Sequence, residues 1–515
     1  MLRIQKPTII TFLLILISSF SFSQRLDLTE TRFFEDNIPD TRVDVNNLTG
    51  AKTTTDTNTL NQLIEQTSNS GGGTIYIEPH NGNSVFYLNQ VALKSNIHLK
   101  ISPSVTIVNL PVNVNSTVFN VGDTGFVENV AITSTAENSQ DKASAFKARL
   151  EGGPTRAISL IALRYVRNFK VSGIDIIDDN TKFNNIVMNL SKSNDKTQIA
   201  TKGTIQHIYS INNHVGYGAI QTQSAITTLF KNINCTGGTA LRIETGSKSI
   251  GEDNIKTVDD LLAKGIRNTD GLCAVDLSPH RVDQGQVDVT NVSSIGSTYT
   301  AIISGGFKDR RNGVDNLGTF SDKSYIEITG SVAGNNAQIK GKDFLFYNCM
   351  TREELKLRAK DNPDAESTHG KSIAVVRHSA DPNNGCSSTG SNPRGCYSPT
   401  IVFPSDSNII GSFERTGRSK NFVYDGDKIG GSCTLSNSEF EYKNVNTFKL
   451  YPNPVTCILN ITGAKSKIKI YSIIGKFIME NKANQTKIIQ VDVSQLNKGV
   501  YFISDGEQTE KFIKI

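Results

Sequence analysis

The hydrophobic pattern of this chain consists mostly of short runs in which apolar and polar residues alternate. Such runs occupy residues 96–108, 129–135, 169–179, 205–213, 229–238, 287–297 and 344–350. Alternation with a period of two predicts β-strands. Gly, Asn and Asp separate the runs, and these residues accept turn conformations. Because long helical patterns are scarce, many short strands in one region favour a solenoid. A large β-sandwich or a propeller stays the alternative architecture.

One helical pattern stands near the start of this region. Apolar residues recur there at helical spacing, at Leu60, Leu63 and Ile64. Asp56 or Thr57 can cap the helix, three Gly at 71–73 end it, and a strand begins at Thr74. The arrangement resembles the amino-terminal cap of pectate-lyase-like β-helices. A solenoid needs such a cap because an open end exposes core and strand edges.

These patterns together predict an all-β protein built on a right-handed parallel β-helix. The helix is expected to run from about Asp56 to Ser438, with Leu60 to Thr67 covering its first coil. Trp is absent, and 41 Gly in the chain suit frequent tight turns.

The first 23 residues have the pattern of a secretory signal peptide. Arg3 and Lys6 precede an apolar run at 7–17 and a small-residue stretch at 18–23. The run is shorter than the about 20 apolar residues that cross a bilayer. We therefore expect an exported, secreted or extracellular protein with no transmembrane segment.

The carboxyl end carries a different set of short strands bounded by Pro, Gly and Asn. Its motifs are Tyr451-Pro-Asn-Pro454, Tyr471-x-x-x-Gly475-Lys476 and Leu496-x-x-Gly499-x-Tyr501. They resemble the type A sorting domain of the type IX secretion system of Bacteroidetes. The resemblance implies a small β-sandwich that has the secretion machinery as its partner. A carbohydrate-binding β-sandwich is the alternative.

The chain thus divides into a signal peptide at 1–23, a β-helix at 24–447 and a sorting domain at 448–515. Residues 448–515 carry 10 Lys against 5 acidic residues, so the formal +5 of the chain does not belong to its body. The basic balance therefore gives no reason to expect nucleic acid, and local clusters must hold any anionic substrate.

Two of the seven Cys lie in a Gly, Ser and Asn-rich loop, at Cys386 and Cys396. In an oxidising compartment this pair is a candidate disulfide. Cys235 and Cys273 fall in strand patterns, where a buried thiol is expected.

Candidate chemistry lies in three consecutive strand patterns. Because successive strand residues face opposite sides, Leu241 and Ile243 should point into the core while Arg242 and Glu244 point out. The same parity turns the following residues outward in the neighbouring segments: Gln221, Gln223, Asp276 and, if Pro279 does not break the register, His280, which is otherwise a turn residue. With Gln221 23 residues before Glu244, the two should lie on adjacent coils about 4.8 Å apart.

An outward row of amide, guanidinium, carboxyl and imidazole suits a groove for a charged sugar chain. A carboxylic acid can give its proton to a glycosidic oxygen, and Arg binds sulfate with its planar fork. A lone outward Glu is otherwise a solvated surface group, and Arg242 could instead pair with a neighbouring acid. Lys308, Arg310 and Arg311 form a second basic cluster, either a sulfate subsite or a solvated loop.

In these residues the chain resembles the iota-carrageenases, a family of inverting β-helix glycosidases that cleave β-1,4 linkages of a sulfated galactan. The resemblance implies that Glu244 is the proton donor and that Gln221 and His280 place water, an ion or the sugar. The guanidinium of Arg242 is the candidate for binding substrate. It implies no cofactor for the chemistry, although structural calcium, sodium or chloride ions are compatible with it. The partner is the sulfated galactan.

In that family, an Asp two residues after the proton donor acts as the base. This chain departs from the family because it has Gly246 at that position. Asp270, Asp276 or His280 could take the role, the enzyme could be slow, or the protein could bind without cleaving. A carboxylate installed by Gly246→Asp should keep or raise activity if the groove has the family's geometry.

One further motif keeps a polygalacturonase-like hydrolase as an alternative. Asn268-Thr-Asp-Gly271 repeats a signature of that family, but the signatures that should follow it are missing. A non-catalytic polysaccharide-binding protein is the alternative of a different class.

Overall fold

The computed structural model describes residues 30–111, 114–136, 141–190, 198–308, 316–360, 367–417, 419–429, 449–463, 467–481, 488–506 and 508–515. The predicted signal peptide and the boundary at 447/448 lie outside these ranges.

The main body is a right-handed parallel β-helix, in which three parallel sheets enclose one apolar core. The first sheet contains the whole of β1 (Arg42–Asp44), β2 (Gly73–Ile77), β5 (Ile97–Ile101), β8 (Val127–Ser134) and β23 (Thr400–Val402). It also contains the first parts of six longer strands: β11 (Val166–Asp178), β13 (Thr201–Thr222), β14 (Ala225–Glu244), β15 (Val258–Thr269), β17 (Val287–Ile295) and β19 (Tyr325–Val332).

The second sheet contains the whole of β3 (Val85–Leu88), β6 (Thr106–Asn109), β9 (Phe146–Leu150) and β24 (Asn408–Ile410). It also contains the later parts of β11, β13, β14, β15, β17 and β19.

The third sheet contains β4 (Val91–Leu93), β7 (Ser116–Val121), β10 (Ile158–Leu163), β12 (Asn184–Met188), the ends of β13 and β14, β16 (Cys273–Ser278), β18 (Ala301–Ile303), β22 (Val376–His378) and β25 (Phe422–Val423).

Inward side chains stack from coil to coil and explain why the alternating pattern gives this architecture. Ile205 pairs with Phe230, and Phe230 pairs with Ala263, so one column of apolar residues continues through neighbouring coils. All three are buried in a single hydrophobic core. The solenoid prediction is confirmed.

The predicted cap helix is present and longer than expected, as α1 (Thr55–Asn69). Leu60 and Ile64 are fully buried against the first coil. The expected capping residue was wrong, because Thr54 is the N-cap and Asp56 lies inside the helix. The carboxylate of Asp56 instead accepts hydrogen bonds from the backbone N–H groups of Thr49 and Gly50, at 2.8 Å each. It joins the helix to the segment before it.

An insertion between β19 and β22 covers the outer side of the third sheet. It comprises the antiparallel pair β20 (Ala337–Lys340) and β21 (Ser367–Gly370), a 3-10 turn at Gly341–Phe346 and α3 (Cys349–Lys360). The strand predicted at 344–350 is therefore wrong. Phe344 and Phe346 pack with Ile302 in a second apolar cluster outside the coil, so their hydrophobicity serves the insertion and not a strand.

The remaining elements are short. A helix, α2 (Lys248–Asp253), follows β14, and further 3-10 turns lie at Glu30–Arg32, Lys142–Ser144, Gly153–Thr155, Pro382–Asn384 and Asp425–Asp427. Cys386 and Cys396 form the predicted disulfide, and Cys235 and Cys273 are free and buried, also as predicted. In the described part of the chain, no helix has the length and apolar character needed to span a bilayer.

The carboxyl-terminal module is a small sandwich of two antiparallel sheets. One sheet contains β26 (Lys449–Tyr451), β27 (Ile458–Thr462) and β30 (Ile488–Asp492), and the other β28 (Ile468–Ser472), β29 (Phe477–Asn481), β31 (Gly499–Ser504) and β32 (Thr509–Lys514). The module has its own apolar core, which includes Leu459, Ile470 and Phe512. The predicted second β-domain is thus present.

Candidate active site

Glu244 is the last residue of β14 and lies on the outward face of the third sheet. Leu241 and Ile243 beside it are fully buried in the core, as the alternation predicts. The coil register differs from the expected one by two residues. Gln221 lies opposite Arg242, while Glu244 lies opposite Ser278 on the other neighbour.

Four predicted residues nevertheless meet around one carboxyl group. The Oε2 atom of Glu244 accepts from Gln221 Nε2 at 3.0 Å and lies 2.7 Å from Arg242 Nη2. Its Oε1 atom lies 2.9 Å from Nε2 of His280. Gln221 reaches diagonally across the coils, which compensates for the register offset. Arg242 also donates from Nη1 to the Gly216 carbonyl at 2.7 Å.

These contacts favour the ionised form of Glu244. Burial raises the pKa of the group, but the charge of Arg242 and the hydrogen bond and charge of His280 outweigh burial. The pKa of Glu244 is therefore held well below its usual range. In the free protein, Arg242 pairs with this acid, and both side chains are 15% exposed.

His280 occupies the space beside Gly246. A Cβ atom on Gly246 would lie 2.7 Å from Cε1 and 2.8 Å from Nε2 of the His280 ring. The ring is further held by Phe307, whose centroid is 4.6 Å away. His280 has φ of 51°, in the left-handed region that non-glycine residues seldom adopt. Glycine at 246 is thus what lets the imidazole reach Glu244.

Asp276 is a second carboxyl on the same outward face, one coil beyond Arg242. It is buried, and its Oδ1 atom accepts no hydrogen bond from the described residues. Burial raises the pKa of Asp276, against the charges of Arg242 and Lys340. Burial, Arg242 and Lys342 in turn lower the pKa of Lys340 to about 8. The site therefore holds two carboxyl groups with opposite pKa shifts.

Asp270, the other acidic candidate, lies away from this cluster. It follows β15 at the turn before β16, and its Oδ2 atom is 3.8 Å from Nζ of Lys511. Asn268 in the same motif is buried and donates to the carbonyls of Cys235 and Gly237. The Asn-Thr-Asp-Gly motif thus has a structural role in the turn.

Of the predicted basic cluster, Lys308 is described, whereas Arg310 and Arg311 lie outside the described residues. Sequence reasoning missed Lys340, which reaches the site from β20. The alternating segment 337–340 was the available signal, because Gln338 and Lys340 share one parity. Gln338 joins the insertion to the wall of the site, as its Oε1 accepts from the Gly238 N–H at 2.6 Å.

Within the described ranges, no three His, Cys, Asp or Glu side chains are grouped so that they could hold a metal ion. The fold and the cluster together define a right-handed parallel β-helix protein with a group of ionisable side chains on the outward face of its third sheet.

Three solved structures align with about four fifths of this chain. A galactohydrolase of 1,3-alpha-1,4-beta-D-galactose-4-sulfate-3,6-anhydro-D-galactose-2-sulfate aligns with 80% of this chain and 96% of its own, at TM-score 0.65 and 22% identity. An iota-carrageenase from A. fortis aligns with 79% of this chain and 95% of its own, at TM-score 0.65 and 21% identity. An iota-carrageenase complexed to iota-carrageenan fragments aligns with 80% of this chain and 96% of its own, at TM-score 0.61 and 20% identity. At these identities the likeness establishes the fold.

Two sequence relatives carry the same name. An iota-carrageenase of Zobellia galactanivorans is 31% identical over 279 residues, which is 53% of this chain and 54% of the relative. An iota-carrageenase of Alteromonas macleodii is 30% identical over 275 residues, which is 52% of this chain and 53% of the relative. The chain thus matches about half the length of these curated relatives. Residues 449–515 match the family model described as a secretion system C-terminal sorting domain.

Proposed function

We propose that this protein is a secreted glycoside hydrolase that cleaves the β-1,4 linkages of iota-carrageenan with inversion, with Glu244 as the proton donor. The observation that carries the proposal is the cluster of Gln221, Arg242 and His280 around Glu244, on a fold shared with iota-carrageenases. The 31% identity to a relative of that name supports the substrate class. The matching sorting module supports export through its secretion machinery.

A proton donor must hold a proton when substrate is bound, whereas Arg242 and His280 favour the carboxylate in the free site. A sulfate ester bound at Arg242 places negative charge beside Glu244. Like charge disfavours ionisation, so the substrate itself raises the pKa of Glu244 towards the range in which the group can donate. Arg242 has further N–H donors besides those used on Gly216 and Glu244.

The second carboxyl in this proposal is Asp276, because Gly246 carries none and Asp270 lies elsewhere. With coils about 4.8 Å apart and two residues along a strand spanning about 6.7 Å, the Cα atoms of Glu244 and Asp276 are about 8 Å apart. These are backbone positions; side chains that extend in parallel from one face keep about this spacing, and inverting glycosidases separate their carboxyl groups by about 6.5 to 9.5 Å to admit a water. Asp276 acts as the base, and His280 and Gln221 position Glu244 and the water.

A reducing-sugar assay on iota-carrageenan tests the activity, with polygalacturonate as the competing substrate. Cleavage of iota-carrageenan alone supports the proposal, and cleavage of polygalacturonate favours the polygalacturonase-like alternative. Binding without cleavage of either polymer would leave a polysaccharide-binding protein. Inversion is read from the first product by proton NMR, which should show the α-anomer before mutarotation.

A further inference from the structure

A second polar cavity lies along the same face as Glu244, under the loop closed by the Cys386–Cys396 disulfide. It has a volume of about 440 Å³. Its lining is mainly polar and basic: Ser379, Asn384, Gly385, Cys386, Asn392, Arg394, Asp425 and Lys428. Neither the catalytic cluster nor the predicted basic cluster near Lys308 includes these residues.

The register of the third sheet places this cavity on the line of the active site. Glu244 pairs with Ser278, Leu277 pairs with Ile303, and Ile303 pairs with His378. Ser379 therefore lies three coils beyond Glu244, about 14 Å along the solenoid axis. A polysaccharide lying along the sheet would cross both places.

The loop is fixed in place by several contacts. The disulfide holds the Cα atoms of Cys386 and Cys396 5.8 Å apart. The N–H of Arg394 donates to the Ser387 carbonyl at 2.7 Å, and the N–H of Gly395 donates to the Gly306 carbonyl at 2.8 Å. The loop thus sits directly on the residues that follow β18.

Arg394 is held beside the catalytic cluster with its charge available. Its guanidinium lies 5.2 Å from the centroid of Phe307, the ring that packs on His280. A cation over an aromatic face is attracted by the ring without losing its charge. Arg394 forms no ion pair with any of the described residues, and it is partly exposed.

Among the described residues that line the cavity, the one acid is already neutralised. Oδ1 of Asp425 lies 3.3 Å from Nη2 of Arg377 and 3.0 Å from Nζ of Lys428. Burial raises the pKa of Asp425, but the charges of Arg377 and Lys428 lower it further, so the carboxylate stays ionised and paired. The cavity as a whole is therefore positive, with amide and hydroxyl donors around Arg394.

We infer that this cavity is a subsite for a sulfate ester of the polysaccharide, with Arg394 as its principal contact and the disulfide as the device that positions that residue. The inference rests on the proposed function for its substrate. A guanidinium group binds two oxygens of an anion at once through two parallel N–H donors. Sulfate fits this pattern, and the amides of Asn384 and Asn392 supply further donors.

The test measures the binding of iota-carrageenan oligosaccharides by titration calorimetry, in the Glu244→Gln background so that nothing is cleaved. Arg394→Gln should raise Kd about tenfold, as expected for loss of a charged hydrogen bond. Arg394→Lys should recover part of the affinity. The control is Arg358→Gln, because Arg358 is exposed on α3 and pairs with Glu354. Its Kd should equal that of the parent.

A second arm distinguishes sulfate recognition from general contact with sugar. On partially desulfated oligosaccharides, the difference in Kd between the parent and the Arg394→Gln variant should shrink; an equal loss on both polymers would overturn the subsite. In the cleaving protein, Arg394→Gln should raise KM and leave kcat unchanged. An unchanged Kd for Arg394→Gln also overturns the inference, whether or not the wild-type protein cleaves.

The disulfide is tested by Cys386→Ser combined with Cys396→Ser. This variant should show a Kd close to that of Arg394→Gln, with unfolding temperature measured in parallel. A Kd equal to that of the parent would overturn the positioning role. If the double variant does not fold, reductant added to the folded parent at a concentration of about 5 mM gives the same comparison.

Discussion

Glu244 receives donors from three separate segments of the chain. Gln221 comes from β13, Arg242 from β14 itself, and His280 from the turn after β16. Each donor stabilises the carboxylate, so the group is oriented before substrate arrives. Its role in chemistry can be tested without disturbing this frame.

Glu244→Gln should reduce the rate of iota-carrageenan cleavage by a factor of about 10² to 10⁴, because an amide cannot protonate the leaving oxygen. Binding of oligosaccharides should be retained, since the side chain keeps its size. Steady-state kinetics and calorimetry measure the two effects. Glu354→Gln on α3, 66% exposed, is the control. A wild-type rate for Glu244→Gln would remove Glu244 from the mechanism.

Gly246→Asp should lower activity, contrary to the expectation from the sequence. Its Cβ would lie 2.7 Å from the His280 ring, so the new side chain must displace the imidazole from Glu244. Combining Gly246→Asp with His280→Ala should recover part of kcat/KM, because the smaller residue frees the space. A single Gly246→Asp variant as active as wild type would show that His280 is not needed where it stands.

The pH profile should report Asp276. A base acts only when deprotonated, and burial raises the pKa of Asp276 above its ordinary value of 3.8. Activity should therefore fall as the pH drops through this raised pKa, at a higher pH than for an exposed Asp. Asp276→Asn should remove this acidic limb and lower kcat, while Asp270→Asn should do neither. An unaltered limb in Asp276→Asn would assign the base to another group.

At the scale of elements, α1 closes the first coil of the solenoid. Leu60 and Ile64 are fully buried on one side of the helix, while Asp56 joins its first turn to the preceding segment. Beside the active site, the insertion with α3 supplies Lys340. Both elements lie outside the coils. The helix α1 completes the apolar core, and the insertion completes the site.

Ile64→Ala should reduce the free energy of unfolding by about 2 to 5 kcal/mol, the usual effect of truncating a fully buried aliphatic side chain. Denaturant unfolding followed by circular dichroism measures the change. Gln62→Ala, on the exposed side of the same helix, should change stability by no more than about 0.5 kcal/mol. Equal effects of the two substitutions would mean that the helix does not act as a packed cap.

At the scale of the whole molecule, the chain has two folded parts with separate apolar cores. Polar side chains join them, as Asn335 Nδ2 donates to Glu510 at 3.1 Å and Lys511 lies 3.8 Å from Asp270. Such exposed contacts contribute little stability. The residues around Glu244 come from the coils of the β-helix and, for Lys340, from the insertion between β19 and β22.

A protein ending at Asn446 should fold and cleave soluble iota-carrageenan with the kcat/KM of the full chain. The reason is that each part has its own core. The same truncation should abolish export in a host with the matching secretion machinery, measured as activity in the medium. A folded but inactive truncated protein would show that the sorting module contributes to the site.

Which residues face outward follows from the local sequence. Strand geometry makes neighbouring residues alternate, so the parity of Arg242 and Glu244 follows locally, and so do the stacked apolar columns. The carboxyl-terminal motifs and the Cys386–Cys396 pair were likewise predictable, because their signals are contiguous or nearly so. The cap helix followed from helical spacing over one short segment.

Tertiary structure alone decided how these residues meet across coils. The register depends on loop lengths between strands, which alternation does not specify, so Gln221 lies opposite Arg242 and not Glu244. The His280 ring lies beside Gly246, and Lys340 lies near Arg242 and Asp276. Both arrangements bring together residues that are at least 34 positions apart in the sequence. Burial raises the pKa of Asp276, whereas Arg242, two residues away on the same strand, and the distant His280 together lower the pKa of Glu244.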